Sequence, residues 1–188
     1  MRIYWSNSLA LAPFFGKICR LDRESGNFMP AVSYDAATLK LLDLLQNNAE
    51  LSTAELALAT GLSASPCWRR VNDLKESGVI KGTVALVDAQ SLGLTVNVFV
   101  HISLKQQDRA SLDIFDEAVR SMPEVMECYL MTGEADYLLR VVVEDLRKYQ
   151  ALVIDRLTTI PCVANIRSSF ALGQVKYTTA LPTTHLRK

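Results

Sequence analysis

Residues 95–104 read TVNVFVHISL, and every second side chain from Val96 is aliphatic. Val96, Val98, Val100, Ile102 and Leu104 share one face of an extended chain, because successive strand side chains point to opposite sides. A helix would scatter this set around its axis, so the segment is a strand with one buried face. The residues before it follow a different rule. From Asp35 to Ile80 the apolar positions recur every three or four residues, which is the period of an amphipathic helix. The chain therefore holds a helical segment followed by a segment organised around a sheet.

After that strand, ASLDIFDEAVRSM is helical, with Leu112, Phe115, Val119 and Met122 as its stripe and Pro123 as its stop. Val125–Thr132 reads as a strand, Gly133 begins a turn, and ADYLLRVVVE reads as a third strand. LRKYQALVIDRLTTI is helical, with Leu146, Tyr149, Val153, Leu157 and Ile160 inward and Pro161 at its end. VANIRSSFAL is the fourth strand, which QVKYTTAL extends or follows with another. The order β-α-β-β-α-β is the ferredoxin-like plan, an antiparallel sheet with two helices on one face. Phe99, Leu138 and Val142 fall on the other face, where a second copy's sheet would cover them, so a homodimer is expected.

In the first segment Asp35 is placed to cap a helix carrying Leu39, Leu41, Leu42 and Leu45. Ser52-Thr-Ala-Glu55 is a capping box that opens a short alanine-rich helix, and Gly61 follows it as a left-handed terminator. Leu62 fixes the turn to the core. Ser63 caps a third helix, Pro66 falls in its first turn, Val71 and Leu74 point inward, and Gly78 ends it. GVIKGTVALVD then reads as a short strand. Two short helices joined by a glycine turn match a helix-turn-helix, whose second helix enters the major groove of DNA. Ser63 and Ser65 supply small donors at its amino end. Arg69 shares a face with Ser65, Arg70 lies about 100° further round and suits the sugar-phosphate backbone, and Lys75 and Lys81 suit flanking phosphates. Trp68 is expected to pack against a neighbouring helix or linker, with a base contact as the lesser reading, and Cys67 is a small filler.

Charge gives no separate support for a nucleic-acid partner. Lys plus Arg is 20 and Asp plus Glu is 20 in 188 residues. Between residues 35 and 82 the basic positions are 40, 69, 70, 75 and 81 and the acidic ones 35, 43, 50, 55, 73 and 76. A local face must carry the positive potential. Hydrophobic residues at 49% with 21% charged describe a globular chain. Cys19, Cys67, Cys128 and Cys162 have no C-x-x-C spacing and only His101 and His185 accompany them, so no metal is expected and the thiols fit a reducing cytoplasm. No cofactor is expected either: phosphate-loop, dinucleotide, zinc-protease and serine-elbow motifs are missing, and an enzyme is the weakest class. Leu9–Phe15 is too short an apolar run to cross a bilayer. Residues 1–28 read as an extension outside the core fold, or as the product of a start codon set too early.

The turn M-T-G-E-A-D, Met131 to Asp136, is the most polar and glycine-rich point of the second segment. Gly133 permits close backbone approach and Asp136 offers an acceptor for an ammonium group. The same turn also reads as an ordinary hairpin with a solvated acid.

The stretches GLSASPCWRRVNDLKESGVIKG, residues 61–82, and YLMTGEADYLLRVVV, residues 129–143, resemble the leucine-responsive regulatory protein/AsnC (Lrp/AsnC) family of transcription regulators. The resemblance runs from about Asp35 to the region of Thr179. It implies an α+β fold: an N-terminal winged-type helix-turn-helix domain, then a ferredoxin-like dimerisation and ligand-sensing domain. It places Ser63, Ser65, Arg69 and Arg70 at DNA-contacting positions. It places Gly133 and Asp136 at the ligand loop, with Met131 and Thr132 lining. The family's L-D-x-x-D opening reads V-S-Y-D-A-A-T here, with Thr38 at the second acid position, which weakens a cap or ion pair there. The expected organisation is an unassigned extension over 1–34, a DNA-binding domain over 35–83, a linker over 84–94, a ligand and oligomerisation domain over 95–180, and a tail over 181–188. The expected function is sequence-specific regulation of transcription in the cytoplasm. The partners would be double-stranded DNA, an amino-acid effector and further copies of the chain, as a homodimer or a higher homo-oligomer; no membrane is involved. The competing reading is an amino-acid-sensing or assembly protein with weak or lost DNA binding.

Overall fold

The structure, a computed structural model, describes residues 34–186. The reading of residues 1–28 as an extension lies outside the described residues. The chain divides into two compact units, one running to Thr83 and taken up again from Thr179, the other Val84–Thr178.

The first unit is built from α1 (Ala36–Asn47), α2 (Thr53–Thr60) and α3 (Ala64–Glu76). Each start follows from local chemistry. The Asp35 carboxylate accepts from the Thr38 N–H at 2.8 Å, and Ser52 and Glu55 close the reciprocal capping box of α2. Gly61 ends α2 at φ 73°, where a side chain would be strained, and lets the Leu62 N–H return to the Ala57 carbonyl at 3.0 Å. Leu41, Leu56, Ala57 and Cys67 form the core, with Leu44, Leu45, Leu51, Leu62 and Val71 against it. Buried Ala57 of α2 packs in this core with Cys67 of α3.

Residues 179–186 also belong to this unit. The Gln46 side-chain amide on α1 donates to the Leu181 carbonyl at 3.2 Å and accepts from the Leu181 N–H at 2.7 Å. Buried Thr183 donates its hydroxyl to Asp43 at 2.8 Å. Residues 179–186 thus form a strap on α1, a pairing that no local pattern announces. Gln46→Ala removes both bonds to Leu181. The expected cost is about 1 kcal/mol, read as faster hydrogen exchange at the Leu181 amide with the second unit unchanged.

The second unit contains β1 (Val96–Leu104), α4 (Arg109–Arg120), β2 (Val125–Leu130), β3 (Tyr137–Val143), α5 (Leu146–Ala151) continuing as a π-helical turn (Leu152–Leu157), and β4 (Val163–Phe170). The sheet order is β2-β3-β1-β4, antiparallel throughout. That is the ferredoxin-like arrangement expected from element order. Val98, Val100, Ile102 and Leu104 of β1 point into one core with Leu139 and Val141 of β3 and Phe115, Leu152 and Leu157 of the helices. Phe115 stacks on Tyr137 with ring centroids 4.3 Å apart.

Three local expectations change. The segment Val79–Asp88 forms no strand, and Val84, Leu86 and Val87 lie exposed, because an extended segment becomes a strand only with a hydrogen-bonding neighbour and the described residues supply none. The same holds for QVKYTTAL: β4 ends at Phe170, leaving Leu172, Val175 and Tyr177 exposed. Leu146 is exposed rather than inward; it is the first residue of α5, and Leu152 takes the buried place.

Candidate DNA-reading helix and ligand hairpin

α3 buries Cys67 and Leu74 and turns Ser65, Arg69 and Lys75 to solvent. Ser63 stands at its N-cap in extended conformation, but its hydroxyl makes no capping bond, so it remains available to an outside acceptor. Lys81 is exposed just past the helix. Among the described residues, no hydrogen bond or ion pair engages the Arg69 side chain.

Arg70 is placed differently. Its guanidinium meets the Asp35 carboxylate, and it donates to the Thr38 hydroxyl at 2.6 Å. It ties α3 to the start of α1. Thr38 is therefore a member of this cluster, bonded through both its N–H and its hydroxyl, rather than a simple loss of an ion pair. The Arg70 guanidinium, followed by the Thr38 hydroxyl and N–H, holds the Asp35 carboxyl well below the usual aspartate range. A depressed folded-state pKa adds stability that is present above the unfolded value of about 3.9 and is lost as pH falls through the folded one. Both side chains are partly exposed, 31% for Arg70 and 53% for Asp35, so solvent screening limits the effect to under about 1 kcal/mol. Acid titration from pH 5 to 2 should therefore destabilise the first unit of the wild type more than that of Asp35→Asn, measured by hydrogen exchange across α1.

Trp68 departs from expectation. Instead of packing on a helix or linker, it is 59% exposed. Its indole lies about 100° round α3 from Cys67, outside the arc that the small core of this unit can cover. The sequence signal was available: Trp68 is out of phase with Cys67, Val71 and Leu74.

In the second unit, the turn between β2 and β3 is closed by the Met131 N–H donating to the Asp136 carbonyl at 2.7 Å. Met131, Thr132 and Gly133 are exposed, and Gly133 has φ 127°, which favours glycine. Asp136 is buried. Its carboxylate accepts from the Leu104 N–H at 2.7 Å and from the Gln107 side chain at 2.5 Å. The plain hairpin reading, with Asp136 as a solvated acid, does not hold: the carboxylate is buried and anchors the hairpin to the end of β1. Glu134, which sequence reading passed over, stands at the tip and reaches Arg167 of β4 at 3.6 Å.

On the sheet face away from the helices lie Phe99, Leu138 and His101. Among the described residues, Asn97 Oδ1 and His101 Nδ1 are buried without a hydrogen-bond partner. Among the described residues no acid, cysteine and histidine cluster could hold a metal ion, and no helix is long and apolar enough to cross a membrane.

Residues 34–81 match the winged helix-turn-helix DNA-binding family and residues 97–181 the Lrp/AsnC ligand binding domain. The Bkd operon transcriptional regulator of Pseudomonas aeruginosa is 45% identical over 148 residues, 79% of this chain and 97% of its own length. The chain belongs to the Lrp/AsnC family of transcriptional regulators. The DNA-binding transcriptional activator DecR of Escherichia coli is 39% identical over 79% of this chain and 97% of its own length. Among solved structures, a transcriptional regulator of Neisseria meningitidis in complex with L-Met matches with TM-score 0.78 and 35% identity, covering 81% of this chain and 99% of that one. An AsnC family regulator of Agrobacterium tumefaciens matches at TM-score 0.77 and 41% identity over the same share. As in other Lrp/AsnC regulators, a helix-turn-helix DNA-binding domain here precedes a ligand-binding domain.

Proposed function

We propose that this Lrp/AsnC protein reads its operator with the amino-terminal half of α3. Ser63, Ser65 and Arg69 face the major groove, and Lys75 and Lys81 neutralise flanking phosphates. Arg70 sets the pose of α3 through Asp35. The observation that carries this reading is Arg69, exposed and without a partner among the described residues, beside Ser65 on a helix that buries Cys67 and Leu74 on its other side. The helix-turn-helix family match supports it.

The effector is an amino acid held at the hairpin, with Met131, Thr132 and Gly133 lining the site and Asp136 fixing its shape. The L-Met complex of the Neisseria relative supports the ligand class. The active form is at least a homodimer. Exposed Phe99 and half-buried Leu138 describe a sheet face that a second copy would complete. Two copies bring two recognition helices, so the operator is an imperfect palindrome. The protein works in the cytoplasm by shifting assemblies on DNA rather than by catalysis. Selection of bound duplexes from a random-sequence pool by the full-length protein tests this. Recovery of a palindromic consensus supports the reading, and recovery of unrelated sequences with salt-dependent binding alone would sink it.

A further inference from the structure

Among the described residues, the indole of Trp68 stands outside the core of the first unit. It is 59% exposed on α3, the helix that also presents Ser65 and Arg69. Taking the buried Cys67 and Leu74 as the inner side, Ser65, Arg69 and Asn72 centre on the outer side, and Trp68 flanks them about 100° round from Cys67. Lys75 lies two turns further along the same flank and is exposed. The flank therefore runs from a flat apolar ring to a cation.

A large aromatic surface facing water is costly, and on such a helix it stands where base edges would lie. The floor of the major groove is almost entirely hydrogen-bonding atoms. Its one methyl group is the C5-methyl of thymine. Serine and arginine on the outer face can pair with donors and acceptors, but neither can distinguish thymine by that methyl. An indole can, through direct apolar contact.

Resting on the DNA-reading role proposed above for α3, we infer that Trp68 is a specificity-determining residue that packs on a thymine methyl in each half-site. Arg69 supplies hydrogen-bonded readout and Trp68 supplies the apolar readout beside it. The operator half-site then carries a thymine, or an adenine whose partner thymine faces the ring, at a fixed offset from the base met by Arg69.

The test uses the full-length protein and a duplex it selects from a random pool. Each thymine is replaced in turn by deoxyuridine, which deletes only the methyl. Wild-type affinity should fall about fourfold at one thymine per half-site, the value of one buried methyl-sized group. Trp68→Ala should bind the parent duplex about tenfold more weakly and show no further loss at that uracil. Trp68→Phe keeps an apolar ring and should keep most of the methyl sensitivity, while Trp68→Gln should lose it. These outcomes support the assignment. It is overturned if Trp68→Ala keeps the wild-type response to every uracil, whether its overall affinity is unchanged or lowered equally on selected and scrambled duplexes. It is overturned too if no uracil affects the wild type. If the wild type binds selected and scrambled duplexes equally well, the DNA-reading role of α3 itself fails. An Arg69→Ala variant that loses affinity yet keeps the wild-type response to uracil keeps the two claims separate.

Discussion

Asp136→Ala should destabilise the second unit by about 2–3 kcal/mol, the cost of leaving a buried N–H without a partner and losing charge-assisted bonds. The orphaned donor is the Leu104 N–H at the end of β1, and the Gln107 amide loses its acceptor as well. Leu104 is itself buried, so water does not readily replace the carboxylate. Asp136→Asn should cost much less, about 1 kcal/mol. The asparagine carbonyl can still accept from Leu104, and Gln107 can turn its own carbonyl toward the new amide. Urea denaturation of both variants measures this. The pair also assigns the role of Asp136 toward ligand. If the carboxylate only shapes the hairpin, Asp136→Asn keeps amino-acid affinity within a few-fold. If it meets the ligand's ammonium group directly, the same variant folds and loses tenfold or more.

The second large effect separates two neighbouring arginines. Arg69→Ala should weaken binding to a selected duplex by about 10- to 100-fold, the range for losing one well-placed base contact, without lowering the melting temperature. Arg70→Ala should act mainly on the fold. It frees the Asp35 carboxylate and the Thr38 hydroxyl, loosens α3 from α1, and lowers the stability of the first unit. Any loss of DNA affinity in Arg70→Ala should track that loss of stability. Fluorescence anisotropy with labelled duplex, run beside thermal unfolding, distinguishes them. Equal loss of affinity in both variants with no change in melting would assign Arg70 to direct phosphate contact instead.

Much of this was legible because it was local. The Ser52–Glu55 capping box, the Asp35 cap and the Gly61 terminator are each written within a few residues, and all three form as read. The alternation through β1 placed four aliphatic side chains in the core because a strand's two faces are fixed by geometry alone. Element order then fixed the sheet, since few chain paths bury both helices on one side of four antiparallel strands. Residues whose partners lie far along the chain were less legible. The 79–88 segment has a strand's composition but no neighbour among the described residues to complete a ladder. Trp68 looked like a packing residue until the size of the three-helix core showed that its arc stays open.

The sequence by itself determined the helices, the four sheet strands, their order and the exposed Ser65–Arg69 face, because periods, caps and breakers act over one or two turns of chain; whether the extended segments 79–88 and 174–181 join a ladder was left to tertiary pairing. Only the tertiary structure decided what Arg70, Asp136 and Gln46 do. Their partners lie 35, 32 and 135 residues away. A charged or amide side chain looks the same in sequence whether it meets water, DNA or its own backbone, and three-dimensional proximity alone selects among them.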